Sequence, residues 1–143
     1  MEIITPEEAI IITRVLIAMV LGLIIGIQRQ IRKEKTKAYG IAGMRTHILV
    51  AISTSLISST GAILLSSDPA RLAASILTGI GFIGASTVLA TKNKILGLIN
   101  ATTIWVCAAI GIATGFGLFI PAALISLLTL IVLELKRFEH IED

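Results

Sequence analysis

The stretch PEEAIIITRVLIAMVLGLIIGIQ, residues 6–28, decides the fold. After Glu7 and Glu8 it carries a single charge, Arg14, in an otherwise apolar run. Crossing a hydrocarbon core of roughly 30 Å takes about 20 helical residues, so one such run is a membrane span by length. Four further runs follow it at 46–65, 70–90, 97–115 and 118–135. The pattern predicts an all-α, polytopic integral membrane protein of about five transmembrane helices, one domain covering 1–143.

Composition agrees with that solvent. The 143 residues are 55% hydrophobic and 15% charged, against about 25% charged in an ordinary soluble domain. Mean hydropathy is +0.97. The net charge of +3 comes from basic residues bunched in short segments between the runs, the distribution expected of topology signals and not of a nucleic-acid face. The single cysteine, Cys107, lies inside a run and excludes an internal disulfide. No Ser, His and acid set in order and no His or Cys pair at ligand spacing stands out, so neither an enzyme nor a cofactor is expected, and no metal site is assigned.

The N-terminus has neither a basic n-region nor a convincing cleavage site, so the first run is expected to be retained. It opens with a capping box, Thr5 to Glu8, with Pro6 at the first helical position. The next segment, Arg29 to Lys37, holds Arg29, Arg32, Lys33, Lys35 and Lys37 against Glu34, and the positive-inside rule assigns it to the cytoplasm. Alternation then brings Arg45, Lys92, Lys94, Lys136 and Arg137 inside, leaving Arg14 and Arg71 toward the outer face. The expected orientation is N-terminus out, C-terminus in. Ser66 to Ala70 and Gly115 to Gly117 are connections short enough to force antiparallel neighbours. Asp68 before Pro69 reads as a helix N-cap.

Small residues recur at intervals of four: Ala18, Gly22 and Gly26 on the first helix, and Thr103, Cys107, Gly111 and Gly115 on the fourth. Small faces let backbones approach closely in lipid, and these are read as bundle contacts in preference to a substrate path. Gly79, Gly81 and Gly84 spell a dinucleotide-binding string, but in mid-run and without the strand that such a motif must follow. They mark either a tight packing face or an irregular stretch at membrane depth.

Charge inside a span is costly and usually faces the bundle interior. Arg14, eight residues past Pro6, lies roughly 12 Å down the first helix. It could meet Asp68 and Arg71 in a cluster, read either as a structural staple or as an ion-sensitive site. On the second helix Thr46, Ser53 and Thr60 form one line and His47, Thr54, Gly61 and Asp68 an adjacent one. Together they make a polar stripe, while Ser55, Ser58 and Ser59 fall elsewhere. His47, near the inner interface, could titrate. Asn100 shares a face with Thr103 and Cys107, a placement suited to interhelical hydrogen bonding.

Taken in order, Gly-Leu-Ile-Ile-Gly-Ile-Gln-Arg-Gln at 22–30, Gly-Met-Arg-Thr-His-Ile-Leu-Val at 43–50, Asp-Pro-Ala-Arg at 68–71, Gly-Ile-Gly-Phe-Ile-Gly-Ala at 79–85 and the segment from Ile95 to Trp105 resemble the membrane domain of the MgtC/SapB family. The likeness spans nearly the whole chain. It implies a multi-pass prokaryotic plasma-membrane protein linked to magnesium limitation, intracellular survival of some pathogens and restraint of the ATP synthase. It singles out Arg29, Arg45, Thr46, Asp68, Arg71, Gly79, Gly81, Gly84 and Trp105. Gln28 stands where the family usually has Glu, Gly-Leu-Ile-Asn-Ala-Thr at 97–102 replaces a Gly-Leu-Thr-Thr-Ala-Ala run, and Ser86 replaces a glycine. The soluble C-terminal domain of longer members has no counterpart in these residues. Function is therefore expected through the bilayer and a membrane partner such as the ATP synthase, with a small, oligomeric ion transporter or channel as the alternative and a homo-oligomer possible in either case.

Overall fold

The computed structural model describes residues 4–36, 42–65, 68–90 and 95–135. The described residues form five α-helices: α1 Pro6–Thr36, α2 Met44–Ile63, α3 Pro69–Ser86, α4 Leu98–Gly115 and α5 Phe119–Leu135. Between α3 and α4, Leu89–Ala90 (β1) and Ile95–Leu96 (β2) form a two-residue antiparallel pairing. Among the described residues, three helices are long and apolar enough to cross a membrane, Pro6–Arg32, Met44–Ile63 and Leu98–Gly115. The apolar α5 is shorter.

Helix α1 starts as its sequence dictates. The backbone N–H of Thr5 donates to Glu8 Oε2 at 2.7 Å and that of Glu8 to Thr5 Oγ1 at 3.2 Å, closing the capping box. It ends later than expected. Instead of stopping at Gln28, the helix continues to Thr36, because the basic segment is built from Gln, Arg, Lys and Glu, which are good helix formers once out of lipid. The apolar run marks the bilayer, and the helix outlasts it.

Helix α3 ends earlier than the expected Ala90. Thr87 turns its hydroxyl onto the Gly84 carbonyl at 2.8 Å, its own N–H bonds the same carbonyl at 3.0 Å, and the Val88 N–H bonds Ala85 O at 3.1 Å. These i→i+3 bonds tighten and close the last turn, and the next residues are diverted into the β pairing. Gly97 then takes φ +89° as the N-cap of α4, against the Thr87 carbonyl, where a Cβ would not fit. The basic residues Lys37, Lys92, Lys94, Lys136 and Arg137, and the connection residues Ser66 and Ser67, lie outside the described residues.

Helix α2 lies between α1 and α4, and α4 touches all the others. Glycines set these approaches. A Cβ on Gly22 would come within 2.8 Å of Ala51 Cβ, and one on Gly26 within 2.9 Å of Met44 Cα. On α4, a Cβ on Gly115 would stand 2.5 Å from Ser58 Cβ, and one on Gly111 would overlap the Thr54 hydroxyl. Ala18 and Cys107 are fully buried in the same interior, with Ile25, Ile104, Ile110 and Ala108. Backbone contact of this kind replaces the hydrophobic drive that lipid cannot supply. The order of contacts also fixes direction: Gly22 and Gly26 meet α2 in descending order, while Gly111 and Gly115 meet it in ascending order. Thus α1 runs antiparallel to α2, and α2 parallel to α4.

Candidate functional site

The polar groups gather at the two ends of the α1–α2–α4 core. At the basic end, Arg29 of α1 donates through Nη2 to Asn100 Oδ1 of α4. Both are buried, with 8% and 3% of their surface exposed. One turn along α4, the Thr103 hydroxyl lies 3.0 Å from the Asn100 carbonyl and 2.9 Å from His47 Nε2 of α2. The ring continues through Nδ1 to the Gly43 carbonyl at 2.8 Å. Asn100 thereby ties α4 to α1 through its side chain, Thr103 ties α4 to α2 through His47, and among the described residues the Arg29 Nε has no partner. A charge at this depth is sustained by such donors and acceptors, since lipid offers none.

Beside this chain, α5 is tied to α1. Arg32 Nη2 donates to Glu134 Oε2 at 3.1 Å and Gln28 Nε2 to Glu134 Oε1 at 3.2 Å. Gln28 therefore supplies a donor to a carboxylate from another helix, a role that Glu at this position could not fill while ionised. Glu134 was no candidate in the sequence; its signal is that it is the one acid in the apolar run 118–135.

At the other end, Arg14 Nη1 donates to the Gly115 carbonyl at 2.6 Å, and the Ser59 hydroxyl donates to the same oxygen at 3.2 Å. The reason lies in how α4 stops. Gly117, at φ +81°, sends its N–H to Thr114 O at 2.9 Å, and Leu118 sends its own to Ala113 O at 2.8 Å, a Schellman motif. That motif leaves the Gly115 carbonyl unsatisfied. Arg14 and Ser59 complete it, and the arginine charge meets the negative end of the α4 dipole.

The expected Arg14, Asp68 and Arg71 cluster is accordingly divided. Asp68 caps α3, accepting from the N–H of Ala70 at 2.9 Å and of Arg71 at 3.5 Å, and both Asp68 and Arg71 are exposed. The two lines of the polar stripe on α2 differ in burial: Ser53 is exposed and Thr46 and Thr60 are half-buried, whereas His47, Thr54 and Gly61 are buried, and so are Ser55, Ser58 and Ser59. This burial follows from α4, whose Gly111 and Gly115 admit these side chains; Thr114 Oγ1 donates to Ser55 Oγ at 3.2 Å. Thr54 and Ser53 bond carbonyls of their own helix.

The glycines of α3 separate as well. Gly84 packs on Ala101, with an added Cβ 3.7 Å from Ala101 Cβ, but Gly79 and Gly81 have nothing within 4 Å, and the helix around them is regular. Among the described residues Gly79 and Gly81 form neither a packing face nor an irregular stretch. Arg45 and Trp105 are exposed and Thr46 is half-buried. Among the described residues, no three His, Cys, Asp or Glu side chains come together as a metal site.

Comparison with known proteins gives this arrangement its context. Residues 15–141 match the MgtC family. An uncharacterized protein of Haemophilus influenzae is 35% identical over 92% of the chain and 57% of its own length. YhiD of Escherichia coli K12, named as a candidate magnesium transporter, is 39% identical over 86% of the chain and 59% of its own. The protein MgtC of Salmonella typhimurium is 37% identical over 76% of the chain and 44% of its own. The chain thus spans about half the length of these relatives. No solved structure matches. With its helical core and the strings that frame the two polar ends inside the matched region, this chain belongs to the MgtC family.

Proposed function

We propose that this is a multi-pass plasma-membrane protein, N-terminus out and C-terminus in, that serves magnesium-linked ion homeostasis by binding a membrane partner and carries out no catalysis of its own. The family and the naming of the YhiD relative supply the link to magnesium. The observation that carries the binding role is the closed α1–α2–α4 axis. Gly22, Gly26, Gly111 and Gly115 bring backbones into contact along it, and Arg14 and Arg29 are engaged as ties between helices. Such an axis suits a rigid body that presents its outer faces to another helix. The ATP synthase, to which the family resemblance points, is the first partner to test.

Purification of a tagged chain from native membranes in mild detergent is expected to recover a specific membrane complex under magnesium limitation. Recovery of the chain alone would count against a partner. The transporter reading is favoured by the name of the YhiD relative and by the buried hydroxyls of α2. It predicts flux of Mg²⁺, protons or anions into liposomes, altered in Asp68→Asn, and no flux above empty liposomes would end it. Mass measured in native lipid distinguishes a monomer from a homo-oligomer.

A further inference from the structure

The hydrogen-bond chain at the basic end contains an asymmetry that assigns its protons. His47 Nδ1 lies 2.8 Å from the Gly43 carbonyl, and a carbonyl oxygen can only accept. Nδ1 must therefore carry the hydrogen in every protonation state that keeps this contact. In a neutral ring the other nitrogen is then an acceptor. His47 Nε2 faces the Thr103 hydroxyl at 2.9 Å, and that hydroxyl has a second acceptor, the Asn100 carbonyl, at 3.0 Å. One hydroxyl hydrogen cannot fully serve both.

We propose that His47 is a buried proton-binding site whose occupancy sets the direction of the hydrogen-bond chain between α2 and α4. With Nε2 bare, the Thr103 hydroxyl donates to it and leaves the Asn100 carbonyl. With a proton on Nε2, His47 donates to Thr103, and the Thr103 hydrogen turns to the Asn100 carbonyl. Proton gain at one atom thus reverses one donor and no bond is broken elsewhere. The reversal stays between α2 and α4: Thr103 bonds the Asn100 backbone carbonyl, whereas Arg29 of α1 bonds the separate side-chain Oδ1.

The surroundings frame this site. From α1 the charged group facing it is Arg29, beyond Asn100. From α4 come Thr103 and Asn100, neither titratable, with buried Cys107 one turn beyond Thr103. On α2 itself Arg45 is exposed, and on α5 Glu134 is engaged by Arg32 and Gln28. Full burial of His47 makes the bound proton a property of the fold and separates it from surface titration.

The test is nitrogen NMR of the full chain labelled at histidine, in lipid nanodiscs, with His140→Gln leaving His47 as the one histidine. Before acidification the neutral ring is expected to hold its hydrogen on Nδ1, and lowering the pH within the range where the folded spectrum persists is expected to move Nε2 alone between its bare and protonated positions. With carbon label added at the asparagine backbone carbonyl, the Asn100 backbone carbonyl carbon should shift in step. Thr103→Ser should keep that coupling and Thr103→Val should lose it while the fold persists. A neutral ring protonated on Nε2, an Nε2 signal that stays bare until the folded spectrum is lost, or an Asn100 signal indifferent to Thr103→Val would each overturn the proposal.

Discussion

Arg29 and Asn100 show what single residues do here. A guanidinium with 8% of its surface exposed holds its charge at tolerable cost only while an oxygen accepts from it. Asn100→Leu removes that acceptor and keeps the volume. The expected loss is roughly 2–3 kcal/mol, the worth of a hydrogen bond to a charged group, read as a lower unfolding midpoint in detergent. Adding Arg29→Met should restore part of that loss, because the uncompensated charge goes with it. Gly117 makes the complementary point about backbone. At φ +81° a side chain is strained, so Gly117→Ala should cost about 1 kcal/mol, measured in the same way. The new Cβ would also stand 3.1 Å from Arg14 Nη2, so the guanidinium that holds the Gly115 carbonyl must give by a few tenths of an ångström.

At the scale of elements, glycines of one residue type divide into two physical classes. Gly111 and Gly115 lie against α2, whereas Gly79 and Gly81 of α3 face open space. Gly111→Ala should separate α2 from α4 and destabilise by about 1–3 kcal/mol, the usual cost of overpacking. Gly79→Ala should be neutral or gain up to about 1 kcal/mol from helix propensity. A matched pair of thermal melts checks both, and equal losses would show that α3 is packed as tightly as α4. The spacing of four was legible on α1 and α4 because it is a property of the chain. Which glycines meet a neighbour was not, since α3 carries the same residue type on a helix that buries little beyond Ile80 and Gly84. Helix ends followed the same division. The Thr5–Glu8 box and the Asp68 cap are local and readable, while the end of α1 was hidden by a change of solvent that hydropathy records and helix propensity ignores.

For the whole molecule, the alternation of helices means that Arg29, Arg32, His47 and Glu134 share one end and Arg14, Ser59 and Gly115 the other. If the basic end is cytoplasmic, a membrane-impermeant thiol reagent should label Glu2→Cys in intact spheroplasts and Asp143→Cys only after lysis, both in a Cys107→Ala background. The opposite pattern would invert the topology. Sequence alone determined the solvent, the five helices, the caps and the family, because apolar runs, capping residues and ordered motifs act along the chain. Tertiary structure decided the partners. Arg14 turned from Asp68 to the end of α4 because the Schellman motif left the Gly115 carbonyl bare. Ser55, Ser58 and Ser59 of α2 are buried because two glycines on α4 made room for them. Arg29 found Asn100, and His47 found Thr103, across separations in sequence that no local pattern encodes.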